Sequence, residues 1–304
     1  MARGASAIRA GSRRAVCSAS VALLWISACA AAGPSPARAG AAEPPTRIVS
    51  INACSDQLLF ALADRGRIAA LTHYAVDDSY SIYSAQVLAS GIRLIRGSAE
   101  EVLKLKPDLV LAGTYTRRAT RQLLERHGVR LELLPPPANV EEARAAIRRV
   151  ASLIGSKARG EALIARIEGA LAAAPDLRAQ GLTVLQIQRR GFVSGPETLV
   201  GDLLRRLGVA NAAPQLGIDG IGRASLEAAL KARADGLVLF DPAARATDQG
   251  AALLLHPALA ALYPRQRRVS LPGRLVLCAG PALPLAIAEL TKSLGRLPPR
   301  SRQP

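Results

Sequence analysis

The chain has 304 residues, half of them hydrophobic, with 25 Gly, 20 Pro and only 3% aromatics. That composition excludes a disordered chain, and the length fits about two domain-sized units whose cores must be built from Ala, Leu, Val and Ile. The formal charge of +17 invites a nucleic-acid reading, but five arginines precede Gly40, leaving about +12, and no basic stripe interleaved with aromatics follows, so nucleic acid is not expected as a partner.

Arg3, Arg9, Arg13 and Arg14 open a basic segment, and residues 15–32 are almost all apolar or small, too short and too Ser-interrupted for a membrane span. Ala37-Arg38-Ala39 places small residues where a signal peptidase reads them, so residues 1–39 are expected to be an export signal cut after Ala39. Ile26-Ser27-Ala28-Cys29 offers the alternative of a lipoprotein anchored at Cys29. Processing after Ala39 removes Cys17 and Cys29 and leaves Cys54 and Cys278, which an oxidising compartment allows to pair. Their distance in sequence decides nothing. Two free or partly buried thiols are the expectation, with a disulfide tethering the two halves as the alternative.

From Arg47 short apolar runs alternate with helical segments. Residues 48–51, 68–72, 109–112 and 129–134 read as strands, and 55–63, 98–106 and 116–127 as helices, the last closed by Gly128 in a left-handed cap. Such alternation predicts a parallel sheet covered on both faces. Pro135-Pro136-Pro137 ends this unit at about residue 138, giving a first lobe over 46–138. Asn139 with Glu142 three residues on is a helix-opening cap, and Val140, Ala143, Ile147, Val150 and Ile154 share one helical face. Interrupted by Gly155 and Gly160, the pattern resumes through Leu163, Ile167 and Leu171 until Pro175, predicting one long connecting helix over 139–174 that need not be straight at the glycines. A second lobe over 181–296 follows, with strands at 183–187, 237–240 and 269–271 and helices at 198–207, 226–231 and 285–294. The Pro- and Arg-rich tail, 297–304, is expected to fray.

Residues 98–108, Ser-Ala-Glu-Glu-Val-Leu-Lys-Leu-Lys-Pro-Asp, match 225–235, Ser-Leu-Glu-Ala-Ala-Leu-Lys-Ala-Arg-Ala-Asp, at an offset of 127, and each runs directly into an apolar strand. Two similarly built lobes are the simplest reading.

With these residues in view, the chain resembles the periplasmic substrate-binding proteins of cobalamin and ferric-siderophore ABC importers, from about Arg47 to Leu294. The resemblance is carried by residues 47–56, Arg-Ile-Val-Ser-Ile-Asn-Ala-Cys-Ser-Asp, by the helix-strand run 100–113, and by the helix 146–165 with its Leu153-Ile154-Gly155 step. Residues 198–211 and Ser225-Leu226-Glu227 complete it. It implies an α/β fold of two Rossmann-like lobes with parallel sheets, joined by a single long α-helix, and a ligand held between the lobes. It further implies a periplasmic monomer that delivers an iron chelate (siderophore or haem) or cobalamin to a membrane permease with a cytoplasmic ATPase, using no intrinsic cofactor. The family docks through one acidic residue per lobe, and Glu100 and Glu227 stand at the matching positions. A carboxylate two residues after a capping Ser also simply complements the helix dipole.

Open parallel sheets bind ligands at the C-terminal ends of their strands. That rule selects Asn52, Cys54, Ser55, His73, Tyr74, Thr114, Tyr115 and Arg117 in the first lobe, and Arg189, Arg190, Phe192, Asp241 and Arg245 in the second. Tyr and Phe rings lie flat on macrocycles, and Arg grips carboxylates. His73 or Tyr74 is able to coordinate iron, although a lone His after a strand is more often a hydrogen-bonded surface residue, and no metal site is assigned. Nucleophile elbows, His-Glu-x-x-His, Walker loops and dinucleotide fingerprints are absent from the sequence, so no catalytic residue is assigned. An exported enzyme using Cys54 and His73, and an exported sensor or carrier of the same ligand, are the alternatives.

Overall fold

The computed structural model describes residues 43–240 and 249–298. The expected export signal, the lipoprotein Cys29, the cleft residues Asp241 and Arg245, and the tail from 299 lie outside the described residues.

The first lobe carries β1 (Ile48–Ser50), α1 (Ala53–Leu62), β2 (Ile68–Thr72), α2 (Ser84–Ser90), β3 (Leu94–Ile95), α3 (Ala99–Lys104), β4 (Leu109–Gly113), α4 (Arg118–Arg126) and β5 (Leu131–Leu134). Its five strands pair in parallel in the order β3-β2-β1-β4-β5. The inner strands are buried on both faces, which is why they read as continuous apolar runs instead of alternating ones.

The connection expected as one long helix is two: α5 (Val140–Leu153) and α6 (Lys157–Ala173). Gly155 takes a left-handed φ of +69°, which ends α5 and reverses the chain. The helices then pack antiparallel, as the crossed ion pairs Arg148–Glu161 (2.9 Å) and Arg144–Glu168 (2.6 Å) show. Gly160 makes the approach possible, since a Cβ there would stand 2.6 Å from the Ala151 Cβ. Amphipathic periodicity is interrupted at residues 155–162 and resumes at Leu163, because both helices turn an apolar face to a shared core. Periodicity shows the interruption but does not distinguish a bend in one helix from a reversal between two.

The second lobe adds β6 (Thr183–Gln186), β7 (Phe192–Ser194), α7 (Leu199–Arg206), β8 (Ala210–Asn211), β9 (Ile221–Arg223), α8 (Leu226–Lys231), β10 (Gly236–Phe240), α9 (Ala252–Leu255), α10 (Pro257–Leu262), β11 (Arg268–Leu271) and α11 (Leu283–Leu294). Its parallel sheet runs β11-β10-β6-β8, and β7 pairs antiparallel with β9 as a separate ribbon. One hydrophobic cluster extends from Ile48 and Leu111 through Ile147 and Ile167 to Leu203 and Leu290, so the helical hairpin is the packing partner of both lobes. Asp202 on α7 fastens the second lobe to the hairpin by accepting a hydrogen bond from the Val140 N–H (3.0 Å), at the first residue of α5.

The 127-residue repeat is real in three dimensions. Ser98 and Ser225 each cap a six-residue helix, accepting from the N–H three residues on. Lys106 and Arg233, both non-glycine, share a left-handed backbone at φ +47° and +43°. The first unit alone has a capping box, because Glu101 reaches back to the Ser98 N–H (3.1 Å), whereas Ala228 stands at the corresponding place in the second.

Candidate functional site

The C-terminal ends of the first lobe's strands open into a cavity of about 760 Å³. The turn after β1 contributes Asn52 to Ser55, the turn after β4 Gly113 to Arg117, and the turn after β5 Pro135 to Pro137. The second lobe closes the cavity with Leu277, Cys278 and Ala279, from the loop between β11 and α11.

Asn52 is the N-cap of α1, its Oδ1 accepting from the Cys54 N–H at 2.9 Å. Gly113 lets it do so, since a Cβ at 113 would stand 2.7 Å from the Asn52 Nδ2. The helix was expected to begin at Ser55, but it starts two residues earlier because Asn52 supplies the cap. Ser55 is buried at the cavity floor, its hydroxyl 2.7 Å from that of Ser50 and 3.0 Å from the Asn52 carbonyl. Beneath them, Asp56 is 1% exposed. Burial pushes its carboxyl up to about 7, against the lowering effect of hydrogen bonds from Ser50 and Thr72.

Thr72 caps the 3-10 turn His73–Val76, holding Tyr74, 38% exposed, at the cavity edge. His73 does not line the cavity; its ring packs against Tyr74 with centroids 4.1 Å apart. Tyr80, which the sequence rule did not select, packs on the other side of Tyr74 at 4.9 Å and lines the cavity. Tyr115 is 87% exposed, and Thr114 and Arg117 flank it on the same wall. Arg96 was also missed. It follows β3, which is only two residues long and leaves no periodic signal, yet its C-terminal end opens into the same cavity.

Arg189, Arg190 and Phe192 do not line this cavity. After β6 the chain turns into the β7–β9 ribbon, where the Arg223 guanidinium lies 5.4 Å over the Phe192 ring and its Nε donates to the Arg190 carbonyl at 3.2 Å. Glu100 and Glu227 are exposed in the first turns of α3 and α8, away from the cavity. The Ser225 hydroxyl holds the Glu227 carboxyl below its ordinary value.

Cys54 and Cys278 are disulfide-bonded, with Cα atoms 4.8 Å apart, which corrects the expectation of free thiols. The first turn of α1 and the loop before α11 meet face to face, a proximity that only the assembled lobes create. The bond also occupies the sulfur that the enzyme alternative needed as nucleophile. Among the described residues no three His, Cys, Asp or Glu side chains converge as a metal site.

A family model described as "Periplasmic binding protein" matches residues 48–264. A curated relative, the cobalamin-binding protein of Halobacterium salinarum, is 24% identical over 173 residues, covering 56% of this chain and 46% of its own length, so the match spans about half of that relative. Among solved structures, the apo periplasmic heme-binding protein RhuT of Roseiflexus sp. RS-1 superposes with a TM-score of 0.65 at 28% identity, over 81% of this chain and 97% of that one. The periplasmic heme-binding protein BhuT, solved with two hemes, gives 0.66 at 26% identity over 83% and 99%. These relatives are binding proteins and not enzymes. With two parallel-sheet lobes, a shared helical core and a cavity at the strand ends, the chain belongs to the periplasmic binding protein family.

Proposed function

We propose that this chain captures a metal tetrapyrrole, haem first, in the cavity at the strand ends of the first lobe and hands it to an ABC permease. The observation that carries the reading is the wall itself, where Tyr74, Tyr80 and Tyr115 offer aromatic faces and the Arg96 and Arg117 guanidiniums stand on the same cavity. A haem needs apolar and aromatic surface for its ring, cations for its two carboxylates, and a phenolate or imidazole for its iron. Tyr74 is the residue we place at the iron, with His73 stacked behind it. Similarity to heme-binding proteins at 28% and 26% identity supports the same ligand class.

Titrating the purified chain with haem, cobalamin and ferric siderophores, followed by visible absorption and thermal shift, tests this. Haem is expected to saturate the protein and raise its melting temperature, and Tyr74→Phe to abolish the phenolate-to-iron charge-transfer band. Saturable binding of cobalamin alone would transfer the assignment to a corrinoid, the second reading, which the similarity to the Halobacterium protein supports. An absence of stabilisation by all three would overturn both.

In this reading the leader ends at Ala39 and the processed chain works in the periplasm, with Cys29 lipidation as the alternative form. Glu100 and Glu227, exposed and separated by the lobe repeat, are the residues that meet the permease. Such charges mainly fix register and steer the encounter. Their double alanine variant is expected to bind ligand normally while failing to stimulate the reconstituted importer's ATPase.

A further inference from the structure

The cavity has one wall that belongs to the second lobe, and its attachment to the first lobe is unusual. Leu277, Cys278 and Ala279 are the second-lobe residues that line the cavity among those described. Their loop makes its hydrogen bonds to itself: Leu275, Val276 and Leu277 donate to Pro272 or Gly273, and Leu283 donates to Gly280. Its Leu275, Val276, Ala279 and Ala282 are buried in the hydrophobic cluster that also holds Leu58 and Leu59 of the first lobe, and its other ties to that lobe are the Cys54 disulfide and an exposed hydrogen bond from Arg274 Nη1 to the Asp78 carbonyl (3.2 Å).

The two ends of the disulfide differ in kind. Cys54 sits in the first turn of α1, where Asn52 caps the helix, and is a fixed post. Cys278 precedes Ala279, a non-glycine residue at φ +39°, a conformation that persists only while its surroundings impose it. Leu277, beside the bond, is 49% exposed over the cavity although Cys278 itself is 3% exposed. A covalent bond therefore holds a half-exposed apolar side chain and a conformationally strained turn against the mouth of the site.

We propose that the Cys54–Cys278 disulfide is a redox latch that preorganises the cavity, so that the oxidised chain retains its ligand and reduction by a dithiol releases the second-lobe wall. The step balances: a dithiol thiolate attacks the sulfur of Cys54, the half-buried residue of the pair where Cys278 is buried, the S–S bond breaks, and Cys278 leaves as a thiolate that takes up a proton. The second thiol of the reductant then displaces the Cys54 thiol and closes its own disulfide, so two electrons pass from the dithiol to the protein disulfide. The retention part of this inference rests on the ligand occupying the cavity as proposed above; the loosening of the wall does not.

The test compares the full chain oxidised, reduced and alkylated with iodoacetamide, and as Cys54→Ser plus Cys278→Ser. Since a dithiol also reduces haem iron, the alkylated protein freed of reductant and the serine variant carry the comparison. Without ligand, hydrogen exchange across residues 272–282 is expected to accelerate in both unlatched forms while β1, β4 and β10 keep their protection. With haem, dissociation is expected to quicken by about tenfold or more, because a wall no longer tethered to α1 opens the cavity mouth more often. Equal exchange of residues 272–282 in latched and unlatched protein would overturn the latch, as would equal haem dissociation. If the oxidised chain takes up no haem, the tetrapyrrole reading fails and the exchange comparison alone decides for or against the latch.

Discussion

Asp108 and Asp235, 127 residues apart, do the same work: each carboxylate accepts the backbone N–H that opens the neighbouring strand of its lobe. Asp108 receives the Thr46 and Arg47 N–H groups at 2.6 and 3.0 Å, and Asp235 receives that of Thr183 at 2.7 Å. Each aspartate also donates its own N–H back to that strand, to Arg47 and Thr183. Burial works against the Asp108 carboxylate, but the hydrogen bonds from Thr46 and Arg47 prevail and hold it below its ordinary value. Asp108→Ala and Asp235→Ala are each expected to lower stability by about 0.5–1.5 kcal/mol, with Asp235 at the upper end because its partner is less exposed. Urea unfolding of the two single variants and the double variant measures this, and near-additive losses are expected for sites in separate lobes.

The buried Asp56 sets a pH dependence of opposite sign. Its carboxyl is pushed from 3.8 up to about 7, chiefly by burial, so the folded chain keeps this proton where the unfolded chain has lost it. The stabilising contribution of the neutral carboxyl is complete below 3.8 and falls away progressively as pH rises to about 7, with no further change above. Its partner Thr72 donates from both N–H (3.2 Å) and hydroxyl and also caps the turn bearing His73 and Tyr74. Asp56→Asn is expected to flatten that part of the stability profile. Denaturant midpoints collected across the interval in both proteins give the answer, and an unchanged slope in the variant would refute the assignment.

Gly160 decides whether the hairpin closes. Its replacement by Val drives a branched side chain into Ala151, where even the Cβ would stand at 2.6 Å, and is expected to cost about 1–3 kcal/mol. Both lobes pack on this hairpin, so the loss should appear in one cooperative thermal transition. Gly169 on the same helix has open space at its Cβ and serves as the control, where Ala is expected to stabilise by about 1 kcal/mol through helix propensity.

Asp202 joins the second lobe to the hairpin. Burial opposes its charge, yet hydrogen bonds from Val140, Arg206 and Arg205 outweigh burial and hold the carboxyl below 3.8. Asp202→Ala strands the buried Val140 N–H and is expected to destabilise by about 1–3 kcal/mol at neutral pH. A group with a depressed value contributes above its unfolded value and loses that contribution as pH falls through the folded one, so the gap between wild type and variant should shrink in acid. Parallel acid titrations of the two proteins, followed by circular dichroism, provide the check.

Local signals in the sequence determined the strand-helix alternation, the Ser98 and Ser225 caps, the Gly128 turn and the lobe repeat, because each depends on residues within one or two turns of one another. The position of the first-lobe cavity was legible too, since it follows from a rule about strand ends that needs only the strands. Tertiary structure alone decided the rest. The interruption at Gly155 reads equally as a bend in one helix or a reversal between two, and β3 is too short to leave a pattern. The β7–β9 ribbon carries Phe192 away from the cavity, and the bond between Cys54 and Cys278 spans 224 residues. All four depend on which surfaces meet after the chain has folded, and sequence separation carries no record of that proximity.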